Sequence, residues 1–449
     1  MNGLPGAVFR PGDEGYDEER RGFNLAVDHH PALVVGATRA EDVVAAVRYA
    51  AEAGLGVGVQ ATGHGPAVPA DGQLLISTRR MVGVRVDPVA RTATVDAGTR
   101  WADVVAAAAP YGLAPLNGSS ADVGAVGYLL GGGLAVLGRR FGYAADHVRR
   151  FEVVTADGEL RGVSPESEPD LFWALRGGKG NFGVVTSMEI ELFPVATLYG
   201  GGLYFDADTA AAALHAYREW TGTVPEEMSS SVMLTRFPDL PEVPDPLRDR
   251  YVAHVWIAWS GPVAEGERWV QPLRAAGPVL LDTVAEMPYR EGSTVHHEPT
   301  TPLPTYDRNT ALGAVDSAAV DTILELAGPE ADAPFLLELR HHGGAYARPP
   351  EVPNAVAGRD AAFLLFSVSV LDPDRIAEIR GSHDTLHRRM HPWSTGGVFL
   401  NFLGIHDTGV ESVRSAYRTA DYERLTAVKA AHDPGNLFRI NHNIPPAAA

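Results

Sequence analysis

A single histidine, His64, stands between two glycines in the segment GVQATGHGPAVPADG, residues 58–72. A neutral imidazole is a competent nucleophile, and flanking glycines remove the Cβ atoms that would keep the backbone away from a bound molecule. The alternative is an ordinary exposed loop histidine. The residue types and their spacing indicate a place where an imidazole can react with a ligand held close to the main chain, or at least contact it.

A second glycine-rich stretch, GSSADVGAVGYLLGGG, covers residues 118–133. Both glycine-rich loops would let backbone N–H groups approach a pyrophosphate closely, which predicts a dinucleotide ligand. The three consecutive glycines at 131–133 could instead serve tight packing of the backbone under a sheet, since both uses need a missing Cβ.

Other common catalytic designs are disfavoured. The turn VGATRAED, residues 35–42, lacks the Gly-x-Gly-x-x-Gly pattern of a nicotinamide-binding Rossmann fold. GGKGNFG, residues 177–183, matches that spacing only loosely and leads into a strand. The sequence has no helical His-Glu-x-x-His and no Gly-x-Ser-x-Gly, so zinc catalysis and a serine hydrolase have no support.

The composition disfavours several classes of binding partner and several kinds of chemistry. The chain has 449 residues, is 45% hydrophobic and carries a formal net charge of -19, which favours two domains and disfavours nucleic acid and anionic lipid surfaces. It contains no cysteine, so disulfides, thiolate metal sites and thiol nucleophiles are excluded. The N-terminal segment does not resemble a secretory signal, and the apolar, glycine-rich stretch at 123–138 is shorter than the roughly 20 residues of a membrane span. We expect a cytoplasmic protein with no membrane partner.

The elements that must position His64 can be predicted from hydrophobic periodicity. The segment before it reads as strand, helix and strand, in which Thr38 and Glu41 form a capping box at the start of the helix and Gly54 suits its end. His64 would therefore lie just past the carboxyl end of a strand in a βαβ unit. Open α/β sheets gather their ligands at that position.

The rest of the chain has two segments with different patterns of predicted strands and helices. Up to about residue 195, alternating runs joined by turns at 87–88 and 157–158 predict further strands. From there to about residue 400, β-like runs alternate with helices and proline-rich connections, which is typical of an antiparallel sheet with helices on one side. The end of the chain reads as a helix, a Pro-Gly stop and a short ordered tail. The predicted fold class is α+β.

Four separated motifs occur in an order that is specific to one family. They are TGHG at 62–65, GSSADVGAVGYLLGGGLAVLGRRFGYAADHV at 118–148, PDLFWALRGGKGNFGVVTSMEIELFPV at 169–195 and DPGNLFRINHNIPP at 433–446. With them the chain resembles the FAD-linked oxidases with a PCMH-type FAD-binding domain, the berberine-bridge-enzyme-like group of the vanillyl-alcohol-oxidase superfamily. The resemblance implies a two-lobed FAD-binding domain over residues 1–195, an antiparallel-sheet substrate domain with flanking helices over 196–404, and a C-terminal segment, 405–449, that returns to the FAD-binding domain.

The resemblance also implies how the flavin is held. In the family, the histidine of the loop that matches TGHG bonds covalently to the 8α-methyl carbon of the flavin, and His64 holds that place. Many relatives attach the flavin a second time through a cysteine in Gly-x-Cys-x-x-Val-Gly, where this sequence has Ser120. The implied cofactor is therefore FAD attached through His64 alone. Relatives often use a tyrosine in Tyr-x-Asn-Tyr as the base, but Phe399 and Phe402 hold both tyrosine places, so the base stays open.

The motif match further implies which residues contact the flavin. These expected FAD-binding residues are Gln60, Ala61, Thr62, Gly63, His64, Gly65, Ser119, Ser120, Val123, Gly124, Gly127, Tyr128, Gly131, Val185, Asn401 and Asn441. Val185 is expected to meet the adenine end through its backbone, and turn or cap bonding is the alternative for the asparagines. His341 and Tyr346 are the predicted catalytic residues, with Tyr306 and Trp393 as further pocket candidates. Buried aromatic core is the alternative for any one of them. No metal site is predicted.

Residues and resemblance together predict an FAD-dependent oxidoreductase, an oxidase or dehydrogenase, that acts on a small organic substrate in natural-product tailoring. Hydride would pass to flavin N5, and molecular oxygen would reoxidise the flavin. Three alternatives stay open: a redox-neutral flavin-dependent cyclase or lyase, which the missing tyrosines would suit, a carbohydrate oxidase, and a catalytically silent flavin-binding protein. The sequence does not fix the substrate or the oligomeric state.

Overall fold

Short hydrophobic runs separated by turns form three β-sheets, and amphipathic helices cover them. The computed structural model describes residues 6–65, 68–241, 243–296 and 298–448. No helix in these ranges is long and apolar enough to cross a membrane.

The first sheet has four strands in the order β1-β2-β4-β3. Its strands and helices are β1 (Ala7–Phe9), α1 (Tyr16–Arg20), β2 (Leu33–Gly36), α2 (Ala40–Ala53), β3 (Val57–Gln60) and β4 (Leu74–Ser77). β2 and β3 both run parallel to β4. The predicted strand, helix and strand are therefore present, and His64 follows the carboxyl end of β3.

The start of α2 differs from the predicted capping box. Thr38 does not pair with Glu41; instead its backbone N and its Oγ1 donate to Asp42 Oδ2 at 2.9 and 2.8 Å. The helix has Arg39 as its N-cap, so Asp42 holds the third helical position that the sequence interpretation gave to Glu41. Gly54 ends the helix in the left-handed conformation, as predicted.

The second sheet has five antiparallel strands in the order β5-β6-β9-β7-β8. Its strands and helices are β5 (Val84–Asp87), β6 (Thr92–Asp96), α3 (Trp101–Ala108), α4 (Ala125–Leu130), α5 (Gly138–Phe141), β7 (Val148–Val154), β8 (Leu160–Val163), α6 (Pro169–Leu175) and β9 (Val184–Glu191). The predicted turns at 87–88 and 157–158 lie between β5 and β6 and between β7 and β8. The second glycine-rich stretch leads into α4 and out of it.

The third sheet has eight strands in the order β13-β10-β12-β11-β16-β17-β15, with β14 also paired to β10. Its strands and helices are β10 (Thr197–Asp206), α7 (Ala207–Thr221), β11 (Met228–Arg236), β12 (Tyr251–Trp259), α8 (Val263–Arg274), β13 (Leu281–Asp282), β14 (Ala285–Pro288), β15 (Thr305–Leu312), α9 (Ser317–Ala327), β16 (Leu336–His341), β17 (Phe363–Val370) and α10 (Ile376–Met390). Two helices follow, α11 (Val410–Arg414) and α12 (Thr419–His432). The predicted α+β class with an antiparallel sheet and flanking helices is confirmed.

The two faces of the third sheet differ because side chains alternate along each strand. Leu339 and Leu365 lie side by side on one face and belong to an apolar core that includes residues of α7, α8, α9 and α10. Ser231 lies between Arg340 and Trp256 on the other face. We call this second side, which carries Ser231, Arg340 and Trp256, the polar face.

A buried ion pair anchors the C-terminal helix. Lys429 of α12 donates from Nζ to Asp433 Oδ2 at 2.6 Å and to the carbonyl oxygens of Asn181 and Phe438 at 2.7 and 3.0 Å. Asp433 also accepts from the backbone N of Leu437 at 2.7 Å. All three ammonium hydrogens of the lysine have acceptors, so the pair ties the end of the chain to the loop before β9.

Lys429→Ala is expected to lower the free energy of unfolding by about 3–5 kcal/mol, because it leaves the Asp433 carboxylate charged and uncompensated in the interior. The matched control is Arg389→Ala on α10, which removes an exposed ion pair to Glu325 and is expected to cost about 0–1 kcal/mol. Urea unfolding followed by tryptophan fluorescence measures both variants. Equal shifts for the two would contradict the anchoring role of the buried pair.

Candidate functional site

The loop that carries His64 is clamped by an N-terminal segment. Asn24 N donates to Gly63 O at 3.0 Å, and the ring of Phe23 stacks on the imidazole of His64 with centroids 3.9 Å apart and planes inclined by 10°. Gly63 has a φ of +69°, and a Cβ on it would lie 2.5 Å from Gly22 Cα. Only glycine allows this approach, so these contacts fix the direction in which the imidazole leaves the loop.

The two nitrogens of the His64 ring have different surroundings. Nδ1 lies 2.8 Å from Thr62 Oγ1, whereas Nε2 is buried and has no hydrogen-bond partner among the described residues. Burial lowers the pKa of His64 to about 4, because water no longer stabilises the imidazolium. The ring is therefore neutral near neutral pH and keeps a lone pair for nucleophilic attack.

The second glycine-rich loop packs directly against the first. Gly124 N donates to Thr62 Oγ1 at 3.3 Å, and a Cβ on Gly124 would lie 3.3 Å from Ala61 Cβ. α4 places Tyr128 edge-on to Trp101, with ring centroids 5.3 Å apart. The Tyr128 hydroxyl is buried without a hydrogen-bond partner in the described part of the chain, and burial raises its pKa well above the usual value. The structure thus brings both glycine-rich loops to one place.

Two predicted asparagines reach this region from the C-terminal part of the chain. Asn401 Nδ2 donates to Tyr128 O at 2.8 Å, and a Cβ on Gly131 would lie 2.6 Å from Asn401 Cγ. Asn441 Nδ2 donates to Gly180 O at 3.1 Å, while its Oδ1 is buried with no partner among the residues described. Asn401 therefore lies against the end of α4, and Asn441 borders the glycine-rich loop before β9.

Two further predicted residues lie at the ends of this region. Gln60 closes β3; its Nε2 donates to Arg20 O at 3.2 Å, and its Oε1 is buried without a partner in the described ranges. Val185 lies on β9 opposite Val153 of β7, with its side chain in the core of the second sheet. A ligand can therefore meet Val185 only through its main chain.

These residues fit FAD on several observations. His64 Nε2 and the Tyr128 hydroxyl are buried polar atoms that lack partners among the described residues, and buried polar atoms in native proteins are normally bonded. A Cβ on Gly65 or Gly127 would meet none of the described residues within 4 Å, so the described part of the chain leaves space beside both loops. Backbone N–H groups of glycine-rich loops suit a pyrophosphate. His64, Tyr128 and the two loops would hold the cofactor.

A small cavity lies between the polar face of the third sheet and the segment after α4. Its walls combine apolar atoms with hydroxyl, imidazole and guanidinium groups. The lining residues are Ser119, Leu134, Ala135, Val136, Ser229, Ser230, Trp256, His296, Arg340, His341, His342 and Tyr346. Such a mixture is typical of a site for a small organic molecule. Because Ser119 belongs to the second glycine-rich loop, the cavity adjoins the candidate cofactor site.

The predicted catalytic residues, His341 and Tyr346, both line this cavity, and both already have protein partners. Tyr346 donates its hydroxyl to Ala135 O at 2.9 Å. Arg139 Nη1 donates to His341 Nε2 at 2.7 Å. His342 is different, because it is only 3% exposed and neither ring nitrogen has a hydrogen-bond partner among the described residues.

The two further pocket candidates, Tyr306 and Trp393, do not line the cavity. Tyr306 is edge-on to His383 of α10, with ring centroids 4.9 Å apart, and Trp393 packs against the apolar core beneath the helices. Both side chains lie on the helix-covered side of the third sheet. The structure therefore gives both residues the role that was named as the alternative, packing among buried side chains.

The sequence interpretation missed a charged cluster beside Asn441. Lys179 Nζ lies 3.1 Å from His442 Nδ1, and Lys179 has a φ of +53°, which few residues other than glycine adopt. Burial lowers the pKa of Lys179 to about 8 and raises that of Asp307 to about 7. A signal was available, because Lys179 stands inside GGKGNFG and His442 follows Asn441 in the C-terminal motif.

Comparison with known proteins identifies two family domains in this chain. A family profile described as FAD binding domain matches residues 31–164, and one described as berberine and berberine like matches residues 398–445. These two segments therefore carry the FAD-binding and berberine-like domains that FAD-linked oxidoreductases have. An (R)-6-hydroxynicotine oxidase of Paenarthrobacter nicotinovorans is 28% identical over 99% of this chain and 97% of its own length. The resemblance that four motifs indicated is confirmed, and this protein is an FAD-dependent enzyme.

Solved structures of the family have the same fold. A 6-hydroxy-D-nicotine oxidase from Arthrobacter nicotinovorans matches with a TM-score of 0.84 and 25% identity, over 99% of this chain and 98% of that one. A glucooligosaccharide oxidase from Acremonium strictum, described with a 6-S-cysteinyl, 8α-N1-histidyl FAD, matches with a TM-score of 0.85 and 22% identity, over 99% and 98% of the two chains. The present chain has no cysteine, so a cysteinyl bond to the flavin cannot form in it.

Gly127→Ala is expected to lower the flavin content of the purified protein without unfolding it. The new Cβ meets no atom of the described residues within 4 Å, and alanine in a helix is favoured over glycine by about 1 kcal/mol. A loss of flavin would therefore report a cofactor lying against this side of α4. The ratio of flavin to protein absorbance and the melting temperature are measured together.

Gly381→Ala is the matched control. Gly381 lies within α10, far along the chain from both glycine-rich loops, and its Cβ would also meet nothing within 4 Å. Its flavin content is expected to equal that of the wild type. A Gly127→Ala protein with full flavin content would place the cofactor away from α4.

Proposed function

We propose that this protein is an oxidase that removes a hydride and a proton from a small organic molecule in the cavity beneath the third sheet, with molecular oxygen as the final acceptor. Substrates of natural-product tailoring are of this kind. The observation that carries the proposal is His342, a buried imidazole with two unpartnered nitrogens among the described residues, in a cavity that Ser119 connects to the candidate flavin site. A bound substrate supplies the hydrogen bonds that His342 lacks.

The charges around the cavity favour an uncharged substrate with hydroxyl or amine groups. Arg340 Nε donates to Glu338 Oε2 at 2.8 Å, and Glu338 Oε1 accepts from Ser231 Oγ at 2.6 Å and from Trp256 Nε1 at 3.0 Å. This ion pair is internally compensated. Burial first, and the charge of Arg340 second, lower the pKa of His342 to about 3, so the imidazole is neutral and offers one donor and one acceptor.

We assign the contacts with the substrate to His342 rather than to His341 or Tyr346. The hydroxyl of Tyr346 and the Nε2 of His341 are held by Ala135 and Arg139, so these two residues shape the cavity wall. When bound, FAD supplies the hydride acceptor and the route for electrons to oxygen. His342 orients the reacting carbon and accepts the hydrogen bond of the group that loses a proton.

Two phenylalanines favour a second candidate function, a redox-neutral cyclisation or lyase reaction. Phe399 stacks near Tyr143, with ring centroids 5.9 Å apart, and the guanidinium carbon of Arg340 lies 5.1 Å from the centroid of Phe402. Neither ring offers a hydroxyl at the places where relatives carry tyrosines.

Oxidation of an amine also suits the site, since an amine can lose hydride without a strong base, and a relative is named for its action on 6-hydroxynicotine.

Anaerobic mixing with a substrate is expected to bleach the visible absorption of the oxidised flavin, and air is expected to restore it with release of hydrogen peroxide. A panel of 6-hydroxynicotine, oligosaccharides and hydroxylated aromatic amines identifies the substrate. His342→Leu is then expected to lower kcat/KM by about 100-fold at unchanged flavin content. His215→Leu on α7, which exchanges a histidine outside the cavity, should leave kcat/KM unchanged.

Each other outcome of this experiment favours a named alternative. Product formed while the flavin stays oxidised would overturn the oxidase and support the redox-neutral reaction. Bleaching by oligosaccharides alone would identify a carbohydrate oxidase. A flavin that no compound of a broad panel reduces would support a catalytically silent flavin-binding protein.

We further propose that His64 is the sole covalent attachment point of the flavin. Acid-precipitated wild-type protein is expected to stay yellow, whereas His64→Ala is expected to release its flavin into the supernatant. His30→Ala, at an exposed histidine, is the control and should keep the colour in the pellet. A colourless wild-type pellet under a yellow supernatant would show that the flavin is not covalently bound.

A further inference from the structure

We propose that Glu298 is the catalytic base, the group that takes up the substrate's proton as the reacting carbon gives up its hydride. The assignment rests on the proposed oxidation and adds the destination of the proton. Glu298 lies at an exposed position in the segment between β14 and β15, and the sequence interpretation did not name it. A carboxylate there can do what the phenyl rings of Phe399 and Phe402 cannot, because those rings have no group that binds a proton.

A hydrogen bond places the carboxyl of Glu298 at the junction of the cavity and the candidate cofactor site. Its partner is the hydroxyl of Ser119, which lines the cavity and belongs to the second glycine-rich loop. The same hydroxyl lies 3.5 Å from Arg340 Nη2 on the polar face. Ser119 therefore accepts from the guanidinium and donates to the carboxylate, so the carboxylate is held where a substrate would face the flavin.

The other carboxylate beside this cavity, Glu338, already has its acceptor sites in use. Its Oε2 accepts from Arg340 Nε at 2.8 Å, and its Oε1 accepts from Ser231 Oγ at 2.6 Å and from Trp256 Nε1 at 3.0 Å. A proton on either oxygen would displace one of these donors. Glu298 accepts the hydroxyl described above, and a carboxylate has about four lone-pair sites, so it keeps sites for a proton from the substrate.

Three other titratable groups of the cavity bind a proton poorly or already hold one. His342 can accept a hydrogen bond from the substrate, but its pKa of about 3 means that the ring does not keep a proton at neutral pH. Burial lowers the pKa of His341 even further. Burial raises the pKa of Tyr346 above the usual value, so this tyrosine retains its own hydroxyl proton.

The surroundings of Glu298 make it a stronger base than an ordinary glutamate. The protein around the carboxyl displaces bulk water and raises the pKa of Glu298, and the negative charge of Glu338 raises it further. The guanidinium of Arg340 and the hydrogen bond from Ser119 act in the opposite direction. One cation thus stands among two carboxylates, and a proton taken up by Glu298 removes the surplus negative charge. The neighbouring imidazoles that line the cavity are His296, His341 and His342.

The step balances for a substrate with a hydroxyl or amine group on the reacting carbon. The C–H bond breaks, and its electron pair leaves as hydride to the acceptor that FAD supplies when bound. The O–H or N–H bond breaks, its electron pair forms the new C=O or C=N bond, and the proton joins a carboxylate oxygen of Glu298. Because Glu298 is exposed, the proton can then pass to solvent.

The rate of anaerobic flavin reduction, measured in the holoenzyme by stopped flow as a function of pH, tests this role. The probe is the member of the panel of 6-hydroxynicotine, oligosaccharides and hydroxylated aromatic amines that bleaches the wild-type flavin fastest. In the wild type the rate is expected to rise with pH through the raised pKa of Glu298, because the base acts in its ionised form. Glu298→Gln is expected to reduce the rate about 100-fold and to abolish this rise, at unchanged flavin content.

Two further variants separate catalysis from structure. Glu298→Asp keeps a carboxylate and is expected to retain the rise with pH at a rate between those of the wild type and Glu298→Gln. Glu291→Gln is the matched control, because Glu291 lies earlier in the same segment and its side chain is exposed beside Arg290. This control is expected to keep the wild-type rate and pH profile. A purely structural role of Glu298 would change the melting temperature or the flavin content and would leave the pH profile of the remaining holoenzyme unaltered.

The outcomes distinguish this assignment from the proposed oxidation. A flavin that is bleached by Glu298→Gln at the wild-type rate and with the wild-type pH profile would overturn the role of Glu298 while the oxidase stands. A wild-type rate that does not change across the acidic range would do the same. A wild-type flavin that every compound of the panel leaves oxidised would overturn both proposals.

Discussion

The close approach of two glycines, Gly22 and Gly63, is the constraint on which the site depends. Their backbones meet at a distance that leaves no room for a Cβ, and the contact lets the N-terminal segment lie across the histidine loop. That segment stacks Phe23 on His64. The imidazole has a phenyl ring against its face and a threonine hydroxyl at its Nδ1 edge, and its partial burial lowers its affinity for protons. Packing alone thus keeps this histidine neutral.

The third sheet contributes in a different way, through the alternation of side chains along its strands. Because Leu339 and Arg340 are neighbours in sequence, they point to opposite faces. The leucine joins the core under the helices, and the arginine faces the glycine-rich loops. One strand thus contributes to the apolar core and lines the cavity at the same time. His342 continues this arrangement just beyond the strand end, where regular pairing stops and a side chain can reach the cavity.

Much of the architecture could be predicted from sequence because its signals are local. The helix end at Gly54 and the turn at Asp157 and Gly158 follow from backbone preferences, and the histidine loop follows from the order of strand and helix before it. The FAD-binding family could be predicted because its motifs are long and keep their order.

The remainder depends on contacts between segments distant in the chain. Thr38 bonds to Asp42 rather than Glu41 because the first turn of α2 starts at Arg39, a shift of register that spacing rules do not resolve. The sequence interpretation named His341 and not His342, because a sequence does not distinguish neighbouring histidines, whereas in the structure Arg139 bonds to the ring of His341. Asn401 and Asn441 lie near the end of the chain, and both bond to the region around the cofactor loops. The cleft between the glycine-rich loops is therefore complete only when residues far apart in the chain have come together.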